Sequence, residues 1–401
     1  MKIKYPLLSN AFNKKDLEVA INVIKSKKIT MSKNTINFEK RFAKTIGSKY
    51  ALMTNSGSSA NLLAFSALTN FLNKNKLKMG DEVIIPAVCW STSLWPIIQN
   101  NLKPVFVDVD IDTLNINLDE LKKKITKKTK AIMCIHVLGT STNMNTLVSI
   151  AKKNKLILIE DTCESLGARY NNQKLGTFGR FGTYSFYYSH QITSGEGGMI
   201  ICNNKRDYEI VKTLRSHGWS RNTHFNKIYS KKYKKLDNRF LFVGPGYNLR
   251  PTDIQAAIAN SQFNRLNKFM EIRNFNRNLI ITKLLNHPKW SKQFNFIKIN
   301  KNITPSWFGL PMLVSPKFSK IKNNFLNYLS SCGIENRPII SGNFLNQPAS
   351  KLYKFKHKIK DFKNSQSVEN RGFFIGLHTT KIKYKQIDFL VNKLLKIDSF
   401  I

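Results

Sequence analysis

The sequence predicts an α/β fold with a mostly parallel central sheet and a smaller C-terminal α/β domain. Three observations carry this. Short apolar runs alternate with helical-period segments over the first half of the chain, acidic groups close two of those runs at Asp108 and Glu160–Asp161, and the texture changes beyond Pro251. Strands that alternate with helices form βαβ units, whose strands run parallel because each helix crosses back over the sheet. A chain of 401 residues, 42% of them hydrophobic, can bury one large core and a smaller second one.

Residues 16–25 and 37–46 carry a helical period. A strand over 50–53 leads into a Ser-rich stretch, from which a helix is expected to run from 56 to about 72. Apolar runs at 82–86, 104–109, 131–136 and 156–160 read as strands, and 118–125 and 144–154 as helices between them. Residues 252–285 read as one long helical region with Thr252 or Asp253 as its cap. Shorter strands at 307–312 and 334–337 and terminal helices complete a second unit. The domain reading is 1–265 for a large domain and 266–401 for a small one.

No stretch reaches the roughly 20 apolar residues of a membrane span, and Met1-Lys-Ile-Lys-Tyr-Pro6 lacks the apolar run of a secretory signal. Cys89, Cys134, Cys163, Cys202 and Cys332 are widely spaced, which fits reduced thiols in a cytoplasmic protein and no metal site. The net charge of +41 invites a nucleic-acid reading. The excess is mostly lysine and comes with abundant Asn and Ile, as codon bias in an AT-rich genome produces. No nucleic-acid motif accompanies it, so neither nucleic acid nor membrane is expected as a partner. A positive surface would still attract an anionic substrate such as a nucleotide diphosphate.

Three stretches carry chemistry. Thr54-Asn-Ser-Gly-Ser-Ser-Ala-Asn61 lies between a strand and an apolar helix, where exposed backbone N–H groups can cradle a phosphate. Ser and Gly also mark ordinary caps. Asp161 follows a buried strand and could pair with a protonated ring nitrogen or simply end the strand. Gly179-Arg-Phe-Gly-Thr-Tyr-Ser-Phe-Tyr-Tyr-Ser-His190 and Gly195-Glu-Gly-Gly198 combine hydroxyls, an aromatic strand and glycines that allow close approach to a ligand.

Taken in order, these motifs resemble the DegT/DnrJ/EryC1/StrS family of nucleotide-sugar aminotransferases. Pro86-Ala-Val-Cys-Trp90, Pro104-Val-Phe-Val-Asp108, His136-Val-Leu-Gly139, Gly246-Tyr-Asn-Leu-Arg250 and Asp253-Ile-Gln-Ala-Ala257 extend the resemblance from about Ala11 to the C-terminal region. It implies an aspartate-aminotransferase-like fold, pyridoxal 5'-phosphate or pyridoxamine 5'-phosphate as cofactor, and a homodimer with shared active sites. It further implies that Gly57, Ser58 and Ser185 contact the cofactor phosphate. By the same resemblance, Asp161 would pair with the pyridine N–H, Trp90 would stack on the ring, and Asn248 would reach the phosphate from the partner subunit.

Two departures are informative. His190 stands where the family's Schiff-base lysine belongs, five residues after Ser185 and five before Gly195, and no lysine occurs between Lys174 and Lys205. The cofactor is therefore expected to be held non-covalently. Glu164 stands where the aminotransferases usually have Gln, beside the cofactor's phenolic oxygen. Both departures resemble the family's 3-dehydratase branch, which removes the C3 hydroxyl of 4-keto-6-deoxy nucleotide sugars. The segment Leu214-Arg-Ser-His-Gly-Trp-Ser-Arg-Asn-Thr-His-Phe225 has no cysteine, so no iron–sulfur cluster is expected.

The cluster-free type implies a GDP-linked 4-keto-6-deoxymannose as substrate and glutamate as amino donor, with ammonia and 2-oxoglutarate released. His217, Arg221 and Arg250 fall at substrate-facing positions by the same match, or are surface residues. His190 would be the acid–base, since an imidazole titrates near operating pH. The alternatives are an ordinary sugar aminotransferase, a catalytically inactive relative and a nucleic-acid binder.

Overall fold

The structure, a computed structural model, describes residues 3–9, 12–355 and 358–400; Met1, Lys2 and Ala11 lie outside them. Its centre is a seven-stranded sheet built from β1 (Tyr50–Thr54), β2 (Glu82–Pro86), β3 (Lys103–Val107), β4 (Thr129–Ile135), β5 (Ile157–Asp161), β8 (Phe181–Ser185) and β9 (Gly198–Cys202). The strand order is β1-β9-β8-β5-β4-β2-β3. Pairings among β3, β2, β4, β5 and β8 are parallel, and β9 runs antiparallel to both of its neighbours. Parallel strands covered on both faces read as continuous apolar runs, and all five residues of β2 are buried. A two-stranded ear, β6 (Arg169–Tyr170) and β7 (Gln173–Lys174), lies between β5 and β8 in sequence.

Helices fill the crossovers in the expected places. They are α1 (Lys14–Lys25), α2 (Lys33–Ile46), α3 (Gly57–Thr69), α4 (Ser91–Gln99), α5 (Leu118–Lys124), α6 (Met144–Lys153), α7 (Lys205–Arg215) and α8 (His224–Lys232). The expected long helix over 252–285 is instead two, α9 (Asp253–Phe263) and α10 (Leu266–Leu285). The break is a tight turn in which Arg265 N–H bonds the Gln262 carbonyl. Beyond it, β10 (Phe294–Phe296), β12 (Gly309–Val314), β13 (Asn336–Arg337) and β14 (Gly372–Gly376) form a four-stranded antiparallel sheet, while β11 (Ile303–Thr304) joins the ear. The N-terminal segment packs on this second sheet, with Tyr5 Oη donating to the Gly376 carbonyl and the Leu7 N–H to Glu335.

The sequence offers Thr252 and Asp253 as alternative caps, and the structure uses both for different helices. Thr252 caps its own α9 through a capping box with Gln255. Asp253 instead caps α2, whose Ser32 makes no side-chain cap bond. Its buried carboxylate accepts from the N–H groups of Ser32, Asn34 and Thr35, the Thr35 hydroxyl and the Asn34 amide. Those amides are the orphan donors of a helix N-terminus, where negative charge is also favoured by the helix dipole. Burial works against the charge, but the donors outweigh it and hold the carboxyl below its ordinary range.

Asp253→Asn should therefore destabilise the protein by about 2–3 kcal/mol at neutral pH. Because the folded carboxyl titrates lower than the unfolded one, its contribution is present above the usual Asp range and is lost as pH falls through the depressed value. Denaturant melts at descending pH should show the gap between wild type and variant closing in acid. A constant gap would contradict the assignment.

Candidate active site

Parallel strands β4, β5 and β8 end side by side at one edge of the sheet, so the segments after them meet there. The β1–α3 loop reaches the same place. Gly57 opens α3, and a Cβ on it would lie 2.6 Å from Ser185 Cβ and 2.8 Å from Cys163 Sγ. Gly198, the last glycine of the GEGG run, approaches from the other side, where a Cβ would come within 2.3 Å of the Ser56 carbonyl. Glycine is required at both positions by close approach. The result is a helix N-terminus with small residues around it and hydroxyls from Ser58 and Ser185, which suits an anion of phosphate size. Ser58 Oγ is held 2.8 Å from Thr92 Oγ1.

Asp161 closes β5 and is buried. Asn61 Nδ2 donates to its Oδ2 at 2.8 Å and Ser93 Oγ at 2.7 Å, while the Cys163 N–H donates to Oδ1 at 3.1 Å. Thr183 on β8 in turn donates to Asn61 Oδ1 at 2.6 Å, which fixes the amide orientation. The carboxylate is thus aimed by groups from α3, α4 and β8 and borders a cavity of about 520 Å³. Trp90, the residue before α4, is 57% exposed and forms part of its wall. Phe308, Arg337 and Ile340 close the cavity from the second-sheet side.

His190 lies in the loop that joins β8 to its antiparallel neighbour β9, and this loop places it over the same cavity. Its ring packs edge-on against Phe308 (5.0 Å between centroids) and Tyr187 (5.8 Å). Nδ1 has no hydrogen-bond partner. Burial, and after it the Arg273 guanidinium, push the imidazole down to about 3, against a weaker pull from the Tyr187 carbonyl. This differs from the near-neutral titration expected of the residue type, and it leaves the ring fully neutral at neutral pH. Glu164 moves the other way. Burial, aided by the nearby Asp161 charge, raises it to about 7, although the Leu138 N–H donates to its Oε2 at 3.0 Å. Among the described residues lining the cavity there is no lysine, and Arg337 is the one guanidinium.

The family model for DegT/DnrJ/EryC1/StrS aminotransferases matches residues 10–395. The chain belongs to this family. It is 39% identical over 392 residues to the GDP-4-keto-6-deoxy-D-mannose 3-dehydratase of Escherichia coli O55:H7, covering 97% of this chain and 98% of that protein. The solved E. coli GDP-4-keto-6-deoxy-D-mannose-3-dehydratase with bound hydrated PLP superposes with a TM-score of 0.89 at 38% identity, over 98% of this chain and all of that one. A second GDP-4-keto-6-deoxymannose-3-dehydratase structure, with a trapped PLP-glutamate geminal diamine, gives 0.87 at 36% over 97% and 100%.

The residues fit a pyridoxal group. Gly57 lets Ser185 and Cys163 pack against the N-terminus of α3, so that its backbone and the Ser58 and Ser185 hydroxyls border the cavity, and Asp161 is a buried carboxylate oriented at the cavity edge. Gly57, Ser58, Trp90, Asp161, Glu164, Ser185 and His190 all line one cavity. His217, Arg221, Asn248 and Arg250 do not; they lie on an exposed surface where Ser216 pairs with Asn248 and Arg250 Nε donates to Asn248 Oδ1. Sequence reasoning missed Asn61, Thr92 and Ser93, although they lie in or beside the motifs it used. Phe308 and Arg337 carry no local signal, because only the fold brings them to the cavity. The five cysteines are free thiols, and among the described residues no cluster of His, Cys, Asp or Glu could hold a metal and no helix is long and apolar enough to cross a membrane.

Glu164→Gln tests the electrostatics of the cavity. A carboxyl raised in the folded state contributes stability that is fully present below the ordinary Glu range and lost as pH rises through about 7. The Gln side chain keeps an acceptor for Leu138 and does not titrate. Its melting temperature should therefore gain on wild type as pH is raised from about 5 to about 8. A difference independent of pH would mean that Glu164 titrates normally.

Proposed function

We propose that this protein is a pyridoxal-phosphate-dependent 3-dehydratase of a nucleotide-linked 4-keto-6-deoxyhexose, with GDP-4-keto-6-deoxy-D-mannose as substrate and glutamate as amino donor. One observation carries the reading: the cavity presents His190, and no lysine, opposite an oriented buried aspartate. Family membership and the similarity to two GDP-4-keto-6-deoxymannose dehydratase structures support the substrate class.

When bound, pyridoxamine phosphate supplies an amine for the sugar ketone and a ring that accepts electrons. Asp161 holds the ring N–H, and Asn61 and Ser93 keep its carboxylate aimed. The α3 N-terminus with Ser58 and Ser185 binds the phosphate. Trp90 covers the ring and excludes water. Glu164 would lie by the phenolic oxygen and could carry a proton there at neutral pH. His190, neutral in the cavity, takes a proton at C4′ of the cofactor and passes it to the departing C3 hydroxyl. Its low proton affinity weakens it as a base but makes its conjugate a strong acid for that second transfer. A transaminase would use a lysine amine to protonate the sugar carbon, and this cavity wall has none.

The overall balance is one ketosugar and one glutamate giving one 3-deoxy ketosugar, one 2-oxoglutarate and one ammonia. Incubation with nitrogen-15 glutamate should release the label as ammonia in equal amount to 2-oxoglutarate, and the sugar should lose one oxygen and gain no nitrogen by mass spectrometry. Label in an amino sugar with the C3 oxygen retained would identify an aminotransferase.

We also propose a homodimer in which each cavity is completed by the partner's residues 217–250. The support is exposure. Asn248, Arg250, His217 and Arg221 are exposed and do not line their own cavity, and Phe240 and Phe242 in the same segment are each 59% exposed. Large exposed aromatics next to cations mark an interaction surface. If Asn248 serves the other subunit, mixing inactive Asn248→Ala and His190→Asn chains should restore activity towards a quarter to a half of wild type per site, since hybrids contain one intact site. No recovery after subunit exchange, verified by mass, would refute sharing.

A further inference from the structure

A histidine that acts as base is usually oriented by a carboxylate, which fixes the ring and favours its protonated form. His190 has none. Its Nδ1 is buried without a partner, and the pull towards protonation comes from the Tyr187 backbone and not from an acidic side chain. The group held against the His190 loop is a cation. Arg273, on the third turn of α10, is 1% exposed. Its Nη1 donates to the Trp307 carbonyl at 2.9 Å and its Nη2 to the His190 carbonyl at 3.2 Å. Its Nε is unpaired, and it takes part in none of the ion pairs among the described residues.

A buried guanidinium without a counter-ion is costly, so its place calls for a reason. The two carbonyls it joins are informative. Trp307 precedes Phe308, whose ring packs on His190. Next in the chain, Gln191 Nε2 donates to the Ser306 carbonyl at 3.0 Å and also to the Glu164 carbonyl. Residues 190–191 are therefore fastened to 306–307 at two successive positions. The fork sets both the backbone of His190 and the ring that flanks it.

We propose that Arg273 is the positioning residue of His190, fixing it through the guanidinium fork and keeping it neutral by charge, in place of an orienting carboxylate. This rests on the dehydratase reading for its purpose, but not for its physics. The other ionisable groups around the cavity are Asp161, Cys163 and Glu164 after β5, His136 after β4, Glu196 before β9, Arg337 on β13 and Tyr187 on the loop of His190 itself. Of these only Tyr187 acts on the imidazole, through its backbone carbonyl and more weakly than the Arg273 charge, which opposes it. Burial leaves Arg273 at about 10, so it remains a cation at neutral pH.

Histidine-selective carbon-13 NMR reads the imidazole directly, with the His190 signal assigned by its loss in His190→Asn. In wild type the signal should stay in its neutral position down to about pH 5. In Arg273→Gln, which keeps a donor and removes the charge, it should titrate at least one pH unit higher than in wild type. Arg273→Lys keeps the charge and loses the fork: the signal should stay neutral over the same range, while kcat falls about tenfold or more with KM little changed.

Titration of wild-type His190 near 6.5 would overturn the proposal whatever the variants do. So would identical titration in wild type and Arg273→Gln. If the glutamine variant does not fold, the wild-type titration and the lysine variant still decide. If the NMR result holds but no ketosugar is dehydrated, the dehydratase reading fails and the assignment of Arg273 survives.

Discussion

The site depends on one carboxylate that must be buried and yet keep a direction. For the proposed role of holding a ring N–H, Asp161 must neither turn towards solvent nor lack donors for its charge. The fold meets both demands with neighbours from separate elements: Asn61 from α3, Ser93 from α4 and the Cys163 amide of its own turn. This explains the strand order around it. Placing β5 between β4 and β8 brings Thr183 beside Asp161 in register, and Thr183 orients Asn61, which orients Asp161. A single swapped strand would break the chain of donors, so topology and chemistry are one constraint here.

Around that carboxylate, neighbouring groups have opposite electrostatic treatment. Glu164 lies three residues on, is raised by burial and by Asp161, and can hold a proton near neutrality. His190, across the cavity, is driven to the neutral form by burial and by a guanidinium. Environments that push titratable groups apart are how a single cavity keeps a donor and an acceptor side by side at one pH. The direction follows from what each group is packed against and not from residue type, so an imidazole that ordinarily titrates near neutrality is pushed below it by burial and by Arg273.

That difference also marks how far the sequence was legible. Strands β2 and β5 and helices α2, α5 and α6 could be read to within a few residues, because buried parallel strands and amphipathic helices leave periodic patterns. The cradle, Asp161 and His190 could be read because they are local motifs in a fixed order. The break between α9 and α10 could not, since both sides keep helical character and the turn is set by Arg265 and its contact with Asp16. Nor could the Asp253 cap on α2, where donor and acceptor are more than 200 residues apart in sequence. Arg273, Phe308 and Arg337 belong to the same class: their side chains have ordinary sequence surroundings, and their meaning comes from long-range packing.

The surroundings of His190 bear on whether the missing lysine reflects lost function or altered function. A site released from selection keeps its core packing, because the fold requires it, but has no reason to keep costly polar arrangements that contribute nothing to folding. Here the costly arrangements are present. Asp161 is buried with its donors in place, Gly57 and Gly198 let the chain segments around the cavity close to contact, and a guanidinium is buried behind His190 without a counter-ion. Arg273 bonds the Trp307 and His190 carbonyls at the cost of burying a charge without a counter-ion. On the proposed reading, that cost falls where the guanidinium holds the backbone of a working imidazole.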